Sequence, residues 1–227
     1  MKDNLSRRMV IPGEVVAEGD VNLGSGVYRE GDKVCASIMG LLEKRKSFVK
    51  VIPLTGRYIP KVGDFVIGKV TDVNLTHWYV DINSAYNAIL NPRDYFRDID
   101  AFQTSLLKIL APGDMIFAVV REITPTKKVY IAMTNRGARL LRGGRLLTIN
   151  PAKVPRVIGR KSSMISMIKK EVKCSILVGQ NGRIWIKGKP ELVEIAVKAI
   201  KRIEREAHLS GLTDSIKSMI IEEREKL

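Results

Sequence analysis

Short apolar stretches, separated by turns that contain glycine, fill the first part of the chain. Residues 10–16, 24–28, 33–40 and 47–53 alternate or run apolar between turn residues, which is the pattern of short β-strands. A sheet built from so few residues hides one of its faces against something else. We therefore expect residues 1–57 to form a β module that docks on another protein.

A second alternating pattern follows Lys61-Val62-Gly63-Asp64. It contains five strand-like segments, at residues 65–73, 77–82, 85–90, 115–123 and 128–133. Five short strands within about 75 residues, with turn signals between them, are typical of a small closed barrel. Residues 58–137 are therefore predicted to form a five-stranded OB-fold.

The periodicity changes again in the last third of the chain. Its predicted elements are a strand at 145–149, helices at 155–158 and 163–172, strands at 175–178 and 183–187, and a long helix at 191–208. The Asn181-Gly182 pair is a strong hairpin signal between the last two strands. Leu192, Ala196 and Ile203 recur at helical spacing in the long helix.

These elements predict an α+β domain of βααββα order over residues 138–210. Residues 211–227 follow as a charged helix or tail, which we expect to be partly mobile or to lie on a partner. The whole chain is thus predicted to be a multidomain protein that combines β and α+β folds.

Composition narrows the class of protein. No apolar run approaches the roughly 20 residues that cross a bilayer, and the N-terminus lacks the apolar stretch of a signal peptide. Cys35 and Cys174 lie far apart and are most simply reduced core thiols, and the chain has only 2 histidines. We expect a cytoplasmic protein with no cofactor, no metal and no membrane contact.

Positive charge is concentrated at the C-terminal end. The 227 residues carry a net charge of +15, and residues 138–227 hold 20 basic against 9 acidic side chains. Between Glu122 and Glu171 lie 48 residues with 12 Lys or Arg and no acid. Such a segment is either a surface neutralised by water or by acids from elsewhere in the fold, or the binding site of a polyanion.

The best candidate for a phosphate-binding loop lies inside this acid-free segment. Gly159 allows close approach of a phosphate, and Arg160 and Lys161 supply charge. Ser162 and Ser163 begin the next helix, where unpaired amides point outward, and the Ser162 amide is available if its φ is negative. The alternative is an ordinary basic turn between two helices.

Residues 145–208 resemble a K-homology (KH) domain of βααββα order. In that family a Gly-x-x-Gly loop clamps about four nucleotides of single-stranded nucleic acid. The segment 157–162 is similar to this motif, with Ser162 where the second glycine is usual. The resemblance implies RNA contacts at this loop and at the preceding Arg156.

Residues 62–70 and 78–82 resemble the OB-fold module named after ribosomal protein S-one. Such barrels stack bases on aromatic side chains over a basic groove. Tyr79 falls on a usual aromatic position, whereas Thr76 replaces an aromatic residue and Asn91 a histidine. The stacking surface is then reduced, and backbone contacts are expected from Arg93, Arg97, Lys127 and Lys128. We expect Trp78 either in the core of the barrel or packed at an interface, and His77 at a surface or strand end.

The order of the three domains resembles the RNA-binding cap subunits of the archaeal exosome. This resemblance implies a non-catalytic subunit, of which three copies, or copies mixed with a related cap subunit, lie on a six-membered ring of RNase-PH-like subunits. The N-terminal module would dock on the ring through Pro12, Gly13, Gly24 and Gly26. Single-stranded RNA would be captured by the other two domains and passed through the pore of the ring for 3'-5' degradation or tailing.

Two alternative functions would place the protein in other functional classes. A ribosome- or translation-associated protein could use the same RNA-binding domains. A metal-dependent nuclease would need clustered carboxylates, and the only tight acidic group, Asp94, Asp98 and Asp100, lies beside arginines and has the pattern of a solvated charged loop. We therefore expect no catalytic residues.

Overall fold

The computed structural model describes residues 8–45, 47–54, 56–95, 105–135, 137–207 and 211–226. The chain divides into two compact units, residues 1–56 and residues 57–227. None of the helices in the described ranges is long and apolar enough to span a membrane.

The first unit is built from short strands in two small sheets. Its strands are β1 (Met9–Val10), β2 (Val15–Glu18), β3 (Asn22–Leu23), β4 (Val27–Glu30), β5 (Lys33–Ala36), β6 (Gly40–Arg45) and β7 (Phe48–Pro53). One sheet has the order β1-β6-β7-β3 and the other the order β2-β5-β4. Buried valines from both sheets, among them Val34, Val49 and Val51, form its core.

A closed barrel opens the second unit, as the alternation predicts. Its strands are β8 (Phe65–Val73), β9 (Trp78–Asp81), β10 (Ala88–Leu90), β11 (Met115–Ile123) and β12 (Val129–Ala132), and β11 pairs with both β8 and β12 to close the sheet. A sixth strand, β13 (Arg139–Leu141), pairs with β11 although the sequence places it in the last domain. Two short helices, α1 (Pro92–Tyr95) and α2 (Leu106–Ile109), lie between β10 and β11.

Trp78 is fully buried in this barrel, as expected. Its indole Nε1 donates to the carbonyl oxygens of Leu110 at 3.1 Å and Leu106 at 3.3 Å. The hydrogen bonds satisfy the one polar atom of the side chain, and they tie the segment around α2 to the barrel.

The last domain has the βααββα order predicted for it. Its elements are β14 (Arg145–Thr148), α3 (Val154–Ile158), α4 (Ser163–Val172), β15 (Ser175–Val178), β16 (Arg183–Lys187) and α5 (Pro190–Arg205), with the sheet order β14-β16-β15. The helices pack on the sheet through residues such as Ile168, Ile186 and Ile200.

The C-terminal helix belongs to the same core. This helix, α6 (Leu212–Glu225), buries Leu212, Ile216 and Ile220 against the last domain. Arg224 donates from Nη1 to the carbonyl oxygen of Glu171 at 2.9 Å. Of the two alternatives predicted for this segment, a charged helix or a tail, the structure has the helix, and an apolar stripe at helical spacing packs it onto its own domain.

The hairpin between β15 and β16 joins the last domain to the barrel. Asn181 is fully buried in its turn, and its Nδ2 donates to the carbonyl oxygens of Ile67 and Ile82 at 2.8 and 2.9 Å. The guanidinium of Arg183 pairs with the Asp81 carboxylate and donates to the Asp81 carbonyl oxygen at 2.6 Å. These bonds fix the two domains to each other.

An apolar cluster completes this joint. Trp185 of β16 packs with Ile67, Phe117 and Leu141 of the barrel. The rings of Phe65 and Phe117 stack beside them with their centroids 5.3 Å apart. Burial of aromatic and aliphatic side chains on both sides makes the barrel and the last domain one packed body.

Candidate nucleic-acid interface

The loop between α3 and α4 requires glycine at its first position. Gly159 has a φ of +76°, and a Cβ there would lie 2.7 Å from the amide nitrogen of Met164. A side chain at this position would collide with the first turn of α4. The loop therefore keeps its backbone close to the start of the helix, as phosphate binding at a helix N-terminus needs.

Ser162 has a left-handed backbone conformation, which glycine adopts without strain. Its φ is +63°, and that of Lys161 is +50°. Two consecutive residues with side chains thus lie in the left-handed region, which costs roughly 1–2 kcal/mol each. The condition set by the sequence, a negative φ at Ser162, is not met.

The serine amides of the loop bond within the loop. Ser162 donates to the carbonyl oxygen of Gly159 at 3.2 Å, and Ser163 donates to that of Arg160. These two amides are therefore occupied in the free protein. Since Arg160, Lys161 and both serine side chains are exposed, the loop offers cationic and hydroxyl groups rather than these two amides to a phosphate.

A cleft of about 280 Å³ lies beside this loop. Val154, Pro155, Ile158 and Gly159 line it from α3 and the loop, and Gln180 lines it from the hairpin that joins the barrel. Gln180 is held there because its amide donates to the carbonyl oxygen of Phe65 at 2.8 Å. The wall opposite α3 is therefore positioned by the barrel.

The basic residues of the acid-free segment are mostly unpaired in the folded chain. Arg145 pairs with Glu194. In the part of the chain that the structure describes, no carboxylate pairs with Lys127, Lys128, Arg139, Arg142, Lys153, Arg160, Lys161, Lys169 or Lys170. Within the described ranges, acids from elsewhere in the fold therefore do not pair with these nine cations.

Several cations outside that segment find carboxylate partners. Lys198 of α5 contacts Glu223 of α6 at 2.6 Å, and Arg202 contacts Glu206 at 3.0 Å. Pairing in this domain therefore follows the positions of its acids. Unpaired cations raise the local positive potential and attract a polyanion.

A second concave surface lies on the barrel. This groove, of about 560 Å³, is lined by His77, Tyr79, Tyr86, Asn87, Asn91, Lys127, Lys128 and Tyr130, with smaller residues between them. The rings of His77 and Tyr79 meet edge to face with their centroids 4.7 Å apart. Aromatic faces beside lysines are the arrangement that stacks bases and holds phosphates.

Two tyrosines that line this groove, Tyr86 and Tyr130, were not predicted from the sequence. Tyr130 is half-buried between the fully buried Val129 and Ile131, so strand alternation turns it outward. That alternation was a signal the sequence carried. Tyr86 lies in a loop, where no periodicity marks it. The stacking surface is consequently richer in aromatic residues than the sequence predicted.

The other residues predicted to contact RNA do not all line the groove. Tyr79, Lys127 and Lys128 line the groove together. Arg93 is exposed on α1 but is not part of the lining, and Arg156 is exposed on α3. Arg97 lies outside the described residues.

Asp94 is not the solvated carboxylate that its surroundings in the sequence suggested. It is 6% exposed, it pairs with Arg121 of β11, and its carbonyl oxygen accepts from Met133 at 2.6 Å. Asp98 and Asp100 lie outside the described residues. Among the described residues, no group of three or more His, Cys, Asp or Glu side chains is arranged to hold a metal ion.

The glycines of the N-terminal unit serve its internal packing. A Cβ at Gly26, whose φ is +78°, would lie 2.7 Å from the carbonyl oxygen of Val51, and one at Gly24 would lie 2.6 Å from the Cβ of Lys50. Gly24 needs close approach rather than a positive φ. Pro12 and Gly13 lie in an exposed turn, with Gly13 at φ +86°.

Three family models match the three parts of this chain in order. Residues 7–55 match the exosome RNA binding protein RRP4 N-terminal domain, residues 57–96 the RRP4 S1 domain, and residues 144–192 the KH domain. The barrel is therefore an S1 domain and the last domain is a KH domain. This order defines a class of multidomain proteins that combine an N-terminal β module with S1 and KH folds.

Curated relatives give the family. The chain is 47% identical to the exosome complex component Rrp4 of Methanothermus fervidus, over 95% of this chain and 96% of that protein. It is 44% identical to that of Pyrococcus furiosus, over 98% of this chain and 86% of the relative. A solved structure of a presumed exosome complex RNA-binding protein superposes with a TM-score of 0.69 at 39% identity, over 75% of this chain and 99% of the other. The chain belongs to the Rrp4 family of exosome complex components.

Proposed function

We propose that this protein is a non-catalytic subunit of an exosome that captures single-stranded RNA. Three copies, or copies mixed with a related cap subunit, would lie on a ring of RNase-PH-like subunits and pass RNA to the pore of that ring. The observation that carries the proposal is the set of nine cations that have no carboxylate partner among the described residues, on a chain that also has an aromatic groove. Family members named as exosome components support the assembly.

Two surfaces of the second unit would share the RNA. The S1 groove provides base-stacking faces at Tyr79 and Tyr130 with Lys127 and Lys128 beside them. The KH loop provides exposed cations at the start of α4. Contacts to phosphates and to aromatic faces carry little sequence information, so the protein would accept many sequences.

The N-terminal unit would dock on the ring. Met9, Ile11 and Met39 are 61%, 59% and 50% exposed and would provide apolar contact area for the ring. Gly24 and Gly26 would contribute by keeping the sheets packed. The change Ile11→Asp should then reduce assembly with the ring and leave RNA binding by the free chain unchanged.

Equilibrium binding of the purified chain to a labelled single-stranded RNA tests the capture function. If about six phosphates are neutralised, the logarithm of the affinity should fall with a slope of about −4 against the logarithm of salt concentration. The double change Arg160→Glu with Lys161→Glu should weaken binding and leave ring assembly intact. A flat salt response, or a double variant that binds as tightly as the wild type, would contradict the proposal.

Incubation of the same RNA with divalent metal ions or with inorganic phosphate tests the absence of catalysis. We expect full-length RNA after incubation with the chain alone, and shortening only when ring subunits are added. The native mass of the complex recovered from cells gives the number of copies. Recovery with ribosomes instead of a ring would favour the translation-associated alternative.

A further inference from the structure

Asp94 is a buried carboxylate of the S1 barrel to which the capture of RNA gives no role. It is 6% exposed, and its side chain contacts two residues. Arg121 of β11 pairs with its Oδ1, and the side-chain Nδ2 of Asn91 donates to its Oδ2 at 3.5 Å. The backbone amide of Asp94 also donates to the carbonyl oxygen of Asn91 at 2.9 Å. Asn91 is therefore bound to Asp94 through both its side chain and its backbone.

This carboxylate decides which end of the Asn91 amide is left for a ligand. A carboxylate only accepts hydrogen bonds, whereas an amide has one end that donates and one that accepts. Although a bond of 3.5 Å is long, the reversed amide would direct its oxygen at the carboxylate, where two acceptors repel each other. Among the described residues, no group donates to Oδ1 of Asn91. This oxygen is therefore an acceptor that a ligand can use.

Asn91 lies in the S1 groove near the aromatic ring of Tyr79. Both residues line the groove, whereas Asp94 is not part of the lining. Ile89 pairs in register with Tyr79, and Asn91 follows two residues beyond Ile89 on the same face of the sheet. Diagonal neighbours of this kind lie about 7–8 Å apart, within reach of aromatic and long side chains. A base that stacks on Tyr79 therefore brings its edge close to the Asn91 side chain.

We propose that Asn91 accepts a hydrogen bond from the amino group of a base stacked in the S1 groove, and that Asp94 is the positioning residue for this contact. Adenine, cytosine and guanine carry an amino group, whereas uracil has none and flanks its single N–H with carbonyl oxygens that an acceptor repels. The groove would then favour amino-bearing bases over uracil at one position and leave the rest of the strand unread. This inference rests on the proposed function, because the groove must first hold RNA.

Replacement of adenine by purine, which lacks the amino group and keeps both rings, tests the proposal. Labelled single-stranded RNAs that consist of adenosine or of purine riboside are titrated with the full-length chain, and fluorescence anisotropy gives the two affinities. We expect the wild type to bind the adenosine RNA about fivefold more tightly, which corresponds to about 1 kcal/mol, the net value of one hydrogen bond. Asn91→Ala removes the acceptor and should bind the two RNAs within about twofold of each other.

Asn87 provides the matched control, because it lines the same groove and no hydrogen bond to a carboxylate is seen for it among the described residues. Asn87→Ala should keep the fivefold preference. Asp94→Asn keeps the shape of the side chain but can both donate and accept, so it no longer fixes the Asn91 amide. The preference should then fall to about twofold or less, with little change in the affinity for the purine RNA. If this variant does not fold, Arg121→Gln, which frees the Asp94 carboxylate from its ion pair, should lower the preference in the same way.

Other results would overturn the inference. Equal binding of the two RNAs by the wild type, a preference that persists in Asn91→Ala, or one that is lost in Asn87→Ala would mean that Asn91 does not read the amino group. Equal weakening of both RNAs by Asp94→Asn, with the preference kept, would mean that Asp94 has only a structural role. Failure of the wild type to bind either RNA would overturn the proposed function itself.

Discussion

Asn181 takes the place of a strand partner on Ile67. Its side-chain Nδ2 donates to the Ile67 carbonyl oxygen at 2.8 Å, and its Oδ1 accepts from the Ile67 amide at 3.2 Å. A residue in the turn of the KH hairpin thus continues the hydrogen bonding of the S1 barrel. Asn83 adds a bond from its Nδ2 to the carbonyl oxygen of Asn181 at 2.9 Å.

The change Asn181→Ala should therefore be strongly destabilising. It leaves the amide and carbonyl of Ile67 and the carbonyl of Ile82 without these partners inside a buried joint. Since each net bond is worth about 1 kcal/mol and a buried unpaired group costs more, we expect the free energy of unfolding to fall by about 3 kcal/mol. Urea denaturation measures this loss.

The exposed Asn87 provides the control for that measurement. The change Asn87→Ala should alter the free energy of unfolding by less than about 0.5 kcal/mol, because the side chain lies on the surface of the groove. A similar loss in the two variants would mean that the Asn181 amide does not stabilise the joint.

Asp81 makes the same joint sensitive to acid. Burial raises the pKa of its carboxyl, but the Arg183 guanidinium and the Asn83 amide outweigh burial, so the pKa is lowered. A lowered pKa means that the carboxylate stabilises the fold above its ordinary pKa, and this contribution is lost as pH falls through the pKa of the folded state. The wild type should thus exceed Asp81→Asn in stability at neutral pH, and the difference should shrink and vanish as the pH falls through the lowered pKa of this carboxyl.

Urea denaturation of both proteins from pH 7 downward checks this prediction. Glu222→Gln removes an exposed carboxylate of α6 for which no ion pair is seen among the described residues, and it should show no such convergence. A constant gap between the wild type and Asp81→Asn at all pH values would exclude a contribution from the Asp81 charge.

Replacement of Ser162 by glycine should not destabilise the protein, which is unusual for a substitution to glycine. Because Ser162 has a φ of +63°, glycine removes a strain of roughly 1–2 kcal/mol, and the greater freedom of glycine in the unfolded chain offsets part of this gain. We expect Ser162→Gly to raise the free energy of unfolding by up to about 1 kcal/mol.

The neighbouring serine is the matched control. Ser163 has a helical φ of −61°, so Ser163→Gly should lower the free energy of unfolding by about 0.5–1 kcal/mol. Urea denaturation of the two variants should therefore show changes of opposite sign in the free energy of unfolding. Destabilisation by both changes would show that Ser162 is not strained in solution.

Local patterns in the sequence were sufficient to predict the helices and strands but not the contacts between them. The alternation of residues 65–73 and the helical spacing of Leu192 and Ala196 predict the barrel strand and the long helix, because each element buries one face of its own. The Asn181-Gly182 pair predicts a hairpin. Asn181 also binds Ile67, and this could not be predicted because the two residues are 114 positions apart and no local pattern encodes their contact.

The candidate interface was likewise predicted only in part from the sequence. Charge density identified the acid-free segment, and the glycine motif identified the KH loop. The positive φ of Ser162 and the occupied amide of that residue follow from how α3 meets α4, so the residue type alone did not give them. Tyr130 belongs to an apolar strand, where alternation turns it outward but only the closed barrel places it beside Tyr79.

Tyr130 is expected to be an RNA-stacking residue of the S1 groove. Removing a stacking face costs about 1–3 kcal/mol per base, so Tyr130→Ala should weaken binding of a 12-nucleotide single-stranded RNA by at least about fivefold. Tyr130→Phe keeps the ring and should bind within about twofold of the wild type. The exposed Tyr28 of the N-terminal unit supplies the matched control, and Tyr28→Ala should leave the affinity unchanged. Fluorescence anisotropy measures all three. Equal affinities of Tyr130→Ala and Tyr28→Ala would mean that bases do not stack on Tyr130.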